Sequence, residues 1–320
     1  MSVLVTGAAG FIGSHVTEAL LESGHDVVGL DNFDPFYGRD VKERNLEVAR
    51  SYDGFELVEA DIAHKGSLDG LADSVESIIH LAALAGVRPS IAEPERYWRV
   101  NVMGTSALVS LAKERGIRTF VFASSSSVYG NNERVPFAET DSVDHPISPY
   151  AATKKSGELL CHTASHLDGL TALCLRFFTV YGPRQRPDLA IHKFTRLILE
   201  GREIPMFGDG STSRDYTYIT DTVDGVLKGH EWARKNEGAY EVVNLGESET
   251  VTLSDMIRII GETLGMEPDI RQLPMQPGDV DRTYADIAKA KRLFGYDPGV
   301  EFRQGIRSFV DWVRTVDADG

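Results

Sequence analysis

A tyrosine and a lysine four residues apart, Tyr150 and Lys154, are the pair in this sequence best suited to acid–base chemistry. Residues at positions i and i+4 lie on one face of a helix, so both side chains can reach the same reacting group. A tyrosine that acts as a base near pH 7 needs its pKa lowered by about 3 units, or roughly 4 kcal/mol. A lysine ammonium supplies part of that shift. The spacing alone also fits an amphipathic helix with a snorkelling lysine.

Four consecutive serines at residues 124–127 follow a predicted strand at its carboxyl end. Ligands of open α/β sheets bind at this edge. Hydroxyl groups there can donate to and accept from an alcohol and the ketone that its oxidation gives. A capped turn would use the same residue type, so the serines are informative only together with Tyr150 and Lys154.

Three glycines, Gly7, Gly10 and Gly13, connect the first predicted strand to the first predicted helix. They permit a tight turn in which a pyrophosphate meets the backbone and the positive end of the helix dipole. The spacing differs from Gly-x-Gly-x-x-Gly, and a turn without a ligand would also explain it. Asp31 ends the second strand 24 residues after Gly7, where an acid binds a ribose 2′-hydroxyl and repels a 2′-phosphate. The combination predicts NAD, whose oxidised nicotinamide ring would be a second cation beside Tyr150.

Other predicted cofactor contacts follow the neighbouring strands. Asp61 and Ile62 would border the adenine, although a plain loop acid is an equal alternative for Asp61. The small residues after the fourth strand would let the cofactor pass close to the backbone, as would ordinary packing. The predicted cofactor-binding residues are Gly7, Gly10, Phe11, Ile12, Gly13, Asp31, Asn32, Asp61, Ile62, Leu81, Ala82, Ala83, Asn101, Tyr150 and Lys154.

Alternating strands and helices must position these groups. Apolar runs predict strands at residues 3–6, 27–30, 56–59, 77–81, 119–123 and 171–176, and amphipathic stretches predict helices at 11–22, 41–50, 67–73, 101–114 and 151–166. This alternation predicts an α/β fold with a doubly wound parallel sheet, the Rossmann arrangement.

The pattern loses its regularity after Gly182. Residues 240–244 read as a strand that rejoins the sheet, and residues 253–264, 287–294 and 305–315 as helices of a smaller α/β lobe. We expect residues 1–176 and 216–245 to form the NAD-binding domain, and residues 177–215 and 246–320 to form the substrate-binding lobe. Tyr216 and Tyr218 alternate as in a strand and favour packing roles.

Composition limits the function classes. The 320 residues carry 33 basic and 48 acidic side chains, a formal net charge of −15, which disfavours nucleic acid or an anionic membrane as the main partner. No apolar run approaches the roughly 20 residues that span a bilayer, and the N-terminus lacks the basic region of a signal peptide. Two cysteines and nine scattered histidines predict neither a disulfide framework nor a metal site. We expect a cytoplasmic protein.

Longer segments resemble the extended short-chain dehydrogenase/reductase family of nucleotide-sugar enzymes, from the first strand to about residue 286. The segments are VTGAAGFIGSH, HLAALAGVRPS, ASSSSVYG, SPYAATKK, RFFTVYGPRQRPD, SRDYTYITD and MQPGDVDRTYAD. Within the family the motifs are most similar to those of the UDP-glucuronate 4-epimerase group.

The resemblance implies reversible conversion of UDP-glucuronate to UDP-galacturonate. It gives Tyr150 as the base, Lys154 as its activator and ribose anchor, and Ser125 as the hydroxyl that bonds O4 of the sugar. Tyr150 would take the C4 hydroxyl proton while NAD accepts the C4 hydride; the 4-keto sugar would then turn over, and the hydride would return to its opposite face. The family also pairs subunits through two helices, at residues 101–114 and 151–166 here, so a homodimer is implied, with His162 and His166 as surface or dimer-face residues.

Related chemistries remain as alternatives. Sugar dehydratases of the family carry an Asp-Glu pair before the VYG segment and UDP-glucuronate decarboxylases a Glu, whereas this chain has Ser126 and Ser127 there. The 4-keto uronate is a β-keto acid, and an epimerase must hold its carboxylate away from the geometry that releases CO₂. UDP-glucose 4-epimerisation is the other alternative, because a neutral C6 needs no cation.

The resemblance points to Arg186 and Thr179 as the groups that hold the uronate, with Ser126 or Ser127. A guanidinium can bind a carboxylate through two parallel hydrogen bonds, which also fixes its plane. Alternatively, Arg184 and Arg186 are solvated loop charges, or Arg186 meets a phosphate.

Three further arginines complete the predicted substrate site. Arg88 would lie near the sugar or pyrophosphate or simply be a surface arginine, and Arg214 and Arg282 resemble the pair that grips the diphosphate, with Asp279 orienting Arg282. The predicted substrate-binding residues are Arg88, Ser125, Ser126, Ser127, Thr179, Arg186, Arg214 and Arg282.

Overall fold

The computed structural model describes residues 1–64, 66–274 and 282–318. Its strands are β1 (Ser2–Thr6), β2 (Asp26–Asp31), β3 (Phe55–Glu59), β4 (Val75–His80), β5 (Thr119–Ser125), β6 (Thr171–Phe177), β7 (Thr179–Tyr181), β8 (Ile204–Phe207), β9 (Ser213–Arg214), β10 (Tyr216–Tyr218), β11 (Tyr240–Leu245), β12 (Val251–Thr252) and β13 (Ile270–Leu273). Its α-helices are α1 (Phe11–Glu22), α2 (Arg39–Asn45), α3 (Val87–Ala92), α4 (Pro94–Tyr97), α5 (Gly104–Glu114), α6 (Pro149–Asp168), α7 (Ala190–Leu199), α8 (Ile219–Lys235), α9 (Leu253–Leu264), α10 (Ala288–Phe294) and α11 (Phe302–Ala318).

Seven parallel strands form the central sheet in the order β11-β6-β5-β4-β1-β2-β3. Strands β1, β5 and β6 are buried along their whole length, as expected for strands covered by helices on both faces. The order reverses between β1 and β4, and this switch point is where doubly wound sheets bind dinucleotides. The predicted Rossmann sheet is confirmed, as is the return of the chain to the sheet at β11, which pairs with β6.

Helix α6 carries Tyr150 and Lys154, and its ends are fixed by local signals. The Ser148 hydroxyl accepts a hydrogen bond from the Ala151 amide, and Gly169 ends the helix in the left-handed region at φ 70°. Gly157 lets the helix approach β5 closely, because a Cβ at this position would overlap the Phe122 ring. This close approach brings the lysine to the carboxyl end of β5.

Several predicted elements differ from the structure. The helix predicted at residues 67–73 is a series of turns that still buries Leu68 and Leu71; Gly70 and the short distance to β4 disfavour a helix there. The helix predicted at 41–50 is divided into α2 and a 3₁₀ turn at Ala49–Ser51, and α5 is preceded by a π-helical turn at Trp98–Met103. Helices α7 and α8, which the weaker periodicity after residue 182 did not reveal, complete the fold.

Short sheets after β6 build the region beside the cavity. Strand β7 pairs with β10, β9 with β12, and β8 with β13. Tyr216 and Tyr218 of β10 are buried against Tyr181, which confirms their packing role. Asp215 is fully buried at the junction and accepts hydrogen bonds from the amides of Glu247 and Ala285, so it ties three segments together.

Glu247 makes the stability of this junction depend on pH. Burial, with the charges of Asp221 and Asp215, raises the pKa of Glu247 to about 8, and its Oε2 is buried without a hydrogen-bond partner among the described residues. Between pH 4.5 and about 8 the folded protein keeps a proton that the unfolded chain has released, so the free energy of unfolding falls as pH rises.

We therefore expect Glu247→Gln to stabilise the protein at pH 8 by about 1–2 kcal/mol, a value reduced for the partial exposure of the side chain, and to change little at pH 5. Urea denaturation of the NAD-loaded protein at both pH values measures this. Glu237→Gln is the matched control, because Glu237 is exposed, is not among the charges that act on Glu247 and should change stability at neither pH. An equal effect of Glu247→Gln at both pH values would contradict the linkage.

Candidate active site

A cavity of about 390 Å³ lies at the carboxyl ends of the central strands, between the glycine turn, the start of α6 and the loop after β7. Most predicted site residues line it, although they come from segments up to 179 positions apart in the chain. They are Gly7, Gly10, Phe11, Ile12, Gly13, Asp31, Asn32, Asp61, Ile62, Leu81, Ala82, Ala83, Ser125, Ser126, Ser127, Tyr150, Lys154, Thr179 and Arg186.

The glycine turn forms a cradle that side chains would fill. Gly7 has φ +73°, and a Cβ there would lie 2.9 Å from the Ala82 nitrogen, whereas a Cβ on Gly13 would overlap the Gly7 carbonyl. The first intrahelical bond of α1 is Ser14 N–H to the Gly10 carbonyl at 3.0 Å, so the amides of Ile12 and Gly13 remain available to an anion. This backbone geometry fits a dinucleotide pyrophosphate.

Asp31 is held at the end of β2 by protein groups on both carboxylate oxygens. It accepts hydrogen bonds from the Ala9 amide at 3.2 Å and the Phe33 amide at 2.8 Å, and it forms a 3.0 Å ion pair with Lys42. The carboxylate is 5% exposed and faces the cavity. Its position fits a ribose hydroxyl, and the amide from the glycine turn links this group to the cradle.

Ser125, Tyr150 and Lys154 converge beside the cradle. Lys154 donates from Nζ to the Ala123 carbonyl at 2.7 Å, and Nζ lies 6.0 Å from the centre of the Tyr150 ring. Ser125 Oγ accepts a hydrogen bond from the Ser127 amide at 3.2 Å, which fixes the serine turn. Of the four serines, Ser124 is the exception because its hydroxyl donates to buried Glu158 at 2.6 Å.

The protein alone sets the protonation states of this group in an unexpected way. Burial raises the pKa of Tyr150, while the Ser125 hydroxyl and the Arg186 charge lower it. Spacing pointed to Lys154 for the lowering, but burial also brings the pKa of Lys154 down to about 7, so its ammonium is only partly populated near neutral pH. Among the protein's charges it is Arg186 that lowers the pKa of the phenol.

Arg186 reaches the cavity from the loop after β7. Its Nε and Nη2 donate to the two oxygens of Asp188 at 2.9 and 2.8 Å, and its guanidinium carbon lies 5.0 Å from the centre of the Phe36 ring. Arg184 instead points to α1, where Nη1 donates to Glu18 at 2.8 Å. The alternative that both arginines are solvated loop charges is therefore wrong.

Four predicted residues lie outside the cavity lining. The side-chain amide of Asn101 accepts a hydrogen bond from the Leu84 amide and donates to the Leu84 carbonyl and to the Thr153 hydroxyl. These bonds anchor the loop after β4 to α6. The Arg88 guanidinium lies over the Phe207 ring. Arg214 and Arg282 lie on adjacent extended segments, since Ser213 and Arg282 form a parallel backbone β-bridge. Asp279 lies outside the described residues. The ligand contacts of these residues stay predictions.

Sequence reasoning missed most of a segment that lines the cavity beside the cradle. Residues 32–38, here called the β2–α2 strap, include the predicted Asn32 and also place Asp34, Phe36 and Tyr37 in the cavity lining. Arg96 of α4 donates from Nη2 to the two carboxylate oxygens of Asp34, at 2.8 Å to Oδ1 and 2.7 Å to Oδ2. The signal was available, since an acid and two aromatic residues follow Asp31 in a loop, but their partners are distant in the chain.

The described residues contain neither a candidate metal site nor a candidate membrane-spanning helix. Within residues 1–64, 66–274 and 282–318, no group of three or more histidine, cysteine and acidic side chains could hold a metal ion. Helices in the same residues are all too short or too polar to cross a bilayer. Cys161 and Cys174 are both free and buried.

Comparisons with known proteins agree with this geometry. Residues 3–246 match the model of the NAD dependent epimerase/dehydratase family. A probable UDP-glucuronate 4-epimerase of Rhizobium meliloti is 40% identical over 98% of this chain and 96% of its own. The structure of a Bacillus cereus UDP-glucuronic acid 4-epimerase in complex with UDP-glucuronic acid and NAD is 36% identical, with a TM-score of 0.92 over 99% and 100% of the two chains. A Thermotoga maritima UDP-glucose 4-epimerase is 32% identical, with a TM-score of 0.89 over 99% of both chains.

Proposed function

Because this chain belongs to the NAD dependent epimerase/dehydratase family, we propose that it is an NAD-dependent UDP-glucuronate 4-epimerase that forms UDP-galacturonate reversibly. The observation that carries the proposal is the placement of a guanidinium, Arg186, in the same cavity as Tyr150 and Lys154. A tyrosine base can take the proton of the C4 hydroxyl during oxidation, and a guanidinium beside it can bind a carboxylate at C6.

In the proposed reaction Tyr150 takes the proton of the C4 hydroxyl, and Ser125 bonds O4 in both the alcohol and the ketone. Bound NAD supplies the oxidant that removes a hydride from C4 and the reductant that returns it. Lys154 anchors the ribose and, when protonated, stabilises the phenolate. Because Tyr150 returns its proton in the second half of the reaction, the enzyme ends in its starting state.

Ser126, Ser127 and Thr179 surround the proposed carboxylate position with Arg186. A carboxylate is an acceptor only, so it can take hydrogen bonds from three hydroxyls and one guanidinium. Ser126 and Ser127 stand where the resemblance places carboxylates in dehydratases and decarboxylases. No acid is thus supplied at C5, and the chemistry stops at C4.

For the nucleotide we propose Arg88, which lies over the Phe207 ring, together with Arg214 and Arg282, which lie on adjacent extended segments. The division into an NAD-binding domain of residues 1–176 and 216–245 and a UDP-sugar lobe of the remainder stays part of this proposal. Asn101 supports the cofactor through the loop that it anchors.

UDP-glucose 4-epimerisation is the second candidate, since the Thermotoga maritima relative is named for that reaction. The cation at C6 favours the uronate, because a carboxylate can accept two parallel hydrogen bonds from the guanidinium edge that Asp188 does not use, whereas a neutral hydroxymethyl group cannot pair with its charge.

One assay tests the proposed function. The purified protein is incubated with UDP-glucuronate without added NAD, and the anomeric proton signals are followed by NMR. We expect the UDP-galacturonate signal to grow to a constant ratio, because the cofactor is regenerated in place. Conversion of UDP-glucose alone would support the second candidate, and a 4-keto-pentose product would identify a decarboxylase.

We also propose that the protein is a cytoplasmic homodimer. Trp98, Met103, Leu159 and Leu167 are 43–70% exposed on the segments from α4 to α6. Large apolar side chains on adjacent helices favour burial against a second copy. Light scattering in solution measures the mass, and a monomer would contradict the dimer. The two buried free thiols are consistent with a reducing compartment.

A further inference from the structure

We propose that Asp188 is a positioning residue for Arg186, holding the guanidinium so that its second edge is presented to the C6 carboxylate of the substrate. The inference rests on the proposed function and extends it to a residue that does not itself touch the substrate. Asp188 binds the guanidinium from the solvent side of the loop, since its side chain is 46% exposed and that of Arg186 only 15%.

The geometry of the ion pair leaves one complete donor edge. A guanidinium has five N–H groups, and Asp188 uses the Nε hydrogen and one Nη2 hydrogen at 2.9 and 2.8 Å. The Nη1 hydrogens and the other Nη2 hydrogen have no hydrogen-bond acceptor among the described residues. These groups form the edge that binds a second carboxylate through two parallel hydrogen bonds.

A second contact fixes the plane of the group. The Phe36 ring of the β2–α2 strap lies 5.0 Å from the guanidinium carbon, so the aromatic face restrains one side while Asp188 restrains one edge. Arginine loses substantial rotamer freedom when it binds a ligand. A side chain ordered beforehand loses less of that freedom on binding, which raises affinity without a new contact.

Fixing this plane has a chemical consequence. Loss of CO₂ from the 4-keto uronate breaks the C5–C6 bond, leaves its electron pair in the enolate of the C4 ketone and is completed when C5 takes a proton from water. The reaction is fastest when the C5–C6 bond stands perpendicular to the ketone plane. A guanidinium with a fixed plane restrains the carboxylate, whereas one that can rotate permits that geometry.

The test compares the wild type, Asp188→Asn, Arg186→Ala and the double variant as NAD-loaded enzymes. We expect Asp188→Asn to lower kcat/KM for UDP-glucuronate by about tenfold, the size expected from a hydrogen bond to a charged group. The Kd of UDP-glucose, measured by calorimetry, should change less than about twofold because a neutral C6 does not use the edge. The fraction of turnovers that yield 4-keto-pentose and CO₂ should rise.

The double-mutant cycle separates positioning from a general structural effect. If Asp188 acts through Arg186, Asp188→Asn adds nothing to Arg186→Ala. Unchanged kcat/KM and CO₂ yield in Asp188→Asn, equal weakening of both nucleotide sugars, or full additivity would overturn the inference. Tighter UDP-glucuronate binding would also overturn it, by showing that Asp188 competes with the substrate. A wild type that does not convert UDP-glucuronate contradicts the proposed function instead.

Discussion

Tyr150→Phe is expected to lower kcat for UDP-glucuronate epimerisation by about 10³-fold, within the 10²–10⁴ range of general acid–base catalysis. The variant keeps the ring and its edge-to-face contact with Tyr97, whose ring centre lies 6.4 Å away, so folding and NAD content should not change. NMR of the nucleotide sugars measures the rate, and calorimetry measures UDP-glucuronate affinity, which should stay within a few-fold.

The pH dependence gives a second readout of the same residue. Burial raises the pKa of Tyr150, so the phenolate is scarce at low pH and kcat/KM should rise with pH up to about 7, where Lys154 begins to lose the proton that stabilises the phenolate. Tyr150→Phe should remove that rise from whatever activity remains.

Tyr97→Phe is the matched control, because its hydroxyl donates to the Ala85 carbonyl at 2.9 Å and not to the serine turn. We expect this variant to keep most of the wild-type rate. Loss of activity in Tyr97→Phe as large as that in Tyr150→Phe, or near-normal turnover by Tyr150→Phe, would contradict the assignment of the base.

Arg186→Ala is expected to lower kcat/KM for UDP-glucuronate by about 10²–10³-fold, since truncating one partner of a buried charge pair costs about 2–5 kcal/mol. The Kd of UDP-glucose should change by only a few-fold, because no carboxylate is present at C6. Turnover that remains should release more CO₂ than the wild type does. NMR of the products and calorimetry of both sugars provide the measurements.

Arg184→Ala is the control for charge in the same loop. Arg184 pairs with Glu18 of α1, so its loss should alter the position of the loop and weaken both sugars to a similar extent. Equal losses for UDP-glucuronate and UDP-glucose in Arg186→Ala would show that Arg186 supports the loop or a phosphate and does not recognise the uronate.

Local sequence patterns were sufficient to predict the cofactor cradle and helix α6. The glycines at 7, 10 and 13 require a close backbone approach, and Asp31 follows at the distance of one strand–helix–strand unit, so the cofactor cradle is encoded within about thirty residues. Helix α6 is equally local, because its Ser148 cap and Gly169 stop are short-range signals. Residues four positions apart on it must share a face.

Only the tertiary structure decided how the charges around the site are paired. The family resemblance singled out Arg186, but the residues alone left Arg184 and Arg186 as loop charges; the fold turns Arg184 to Glu18 on α1 and Arg186 to the cavity. The ion pair between Asp31 and Lys42 was likewise not predictable, because Asp31 ends β2 and Lys42 lies on α2. The pKa of a group follows from the burial and the charges that packing creates, and neither has a period or a spacing in the sequence. For that reason the order of strands was predictable, while the environment of the tyrosine and the edge of the guanidinium that pairs with Asp188 were not.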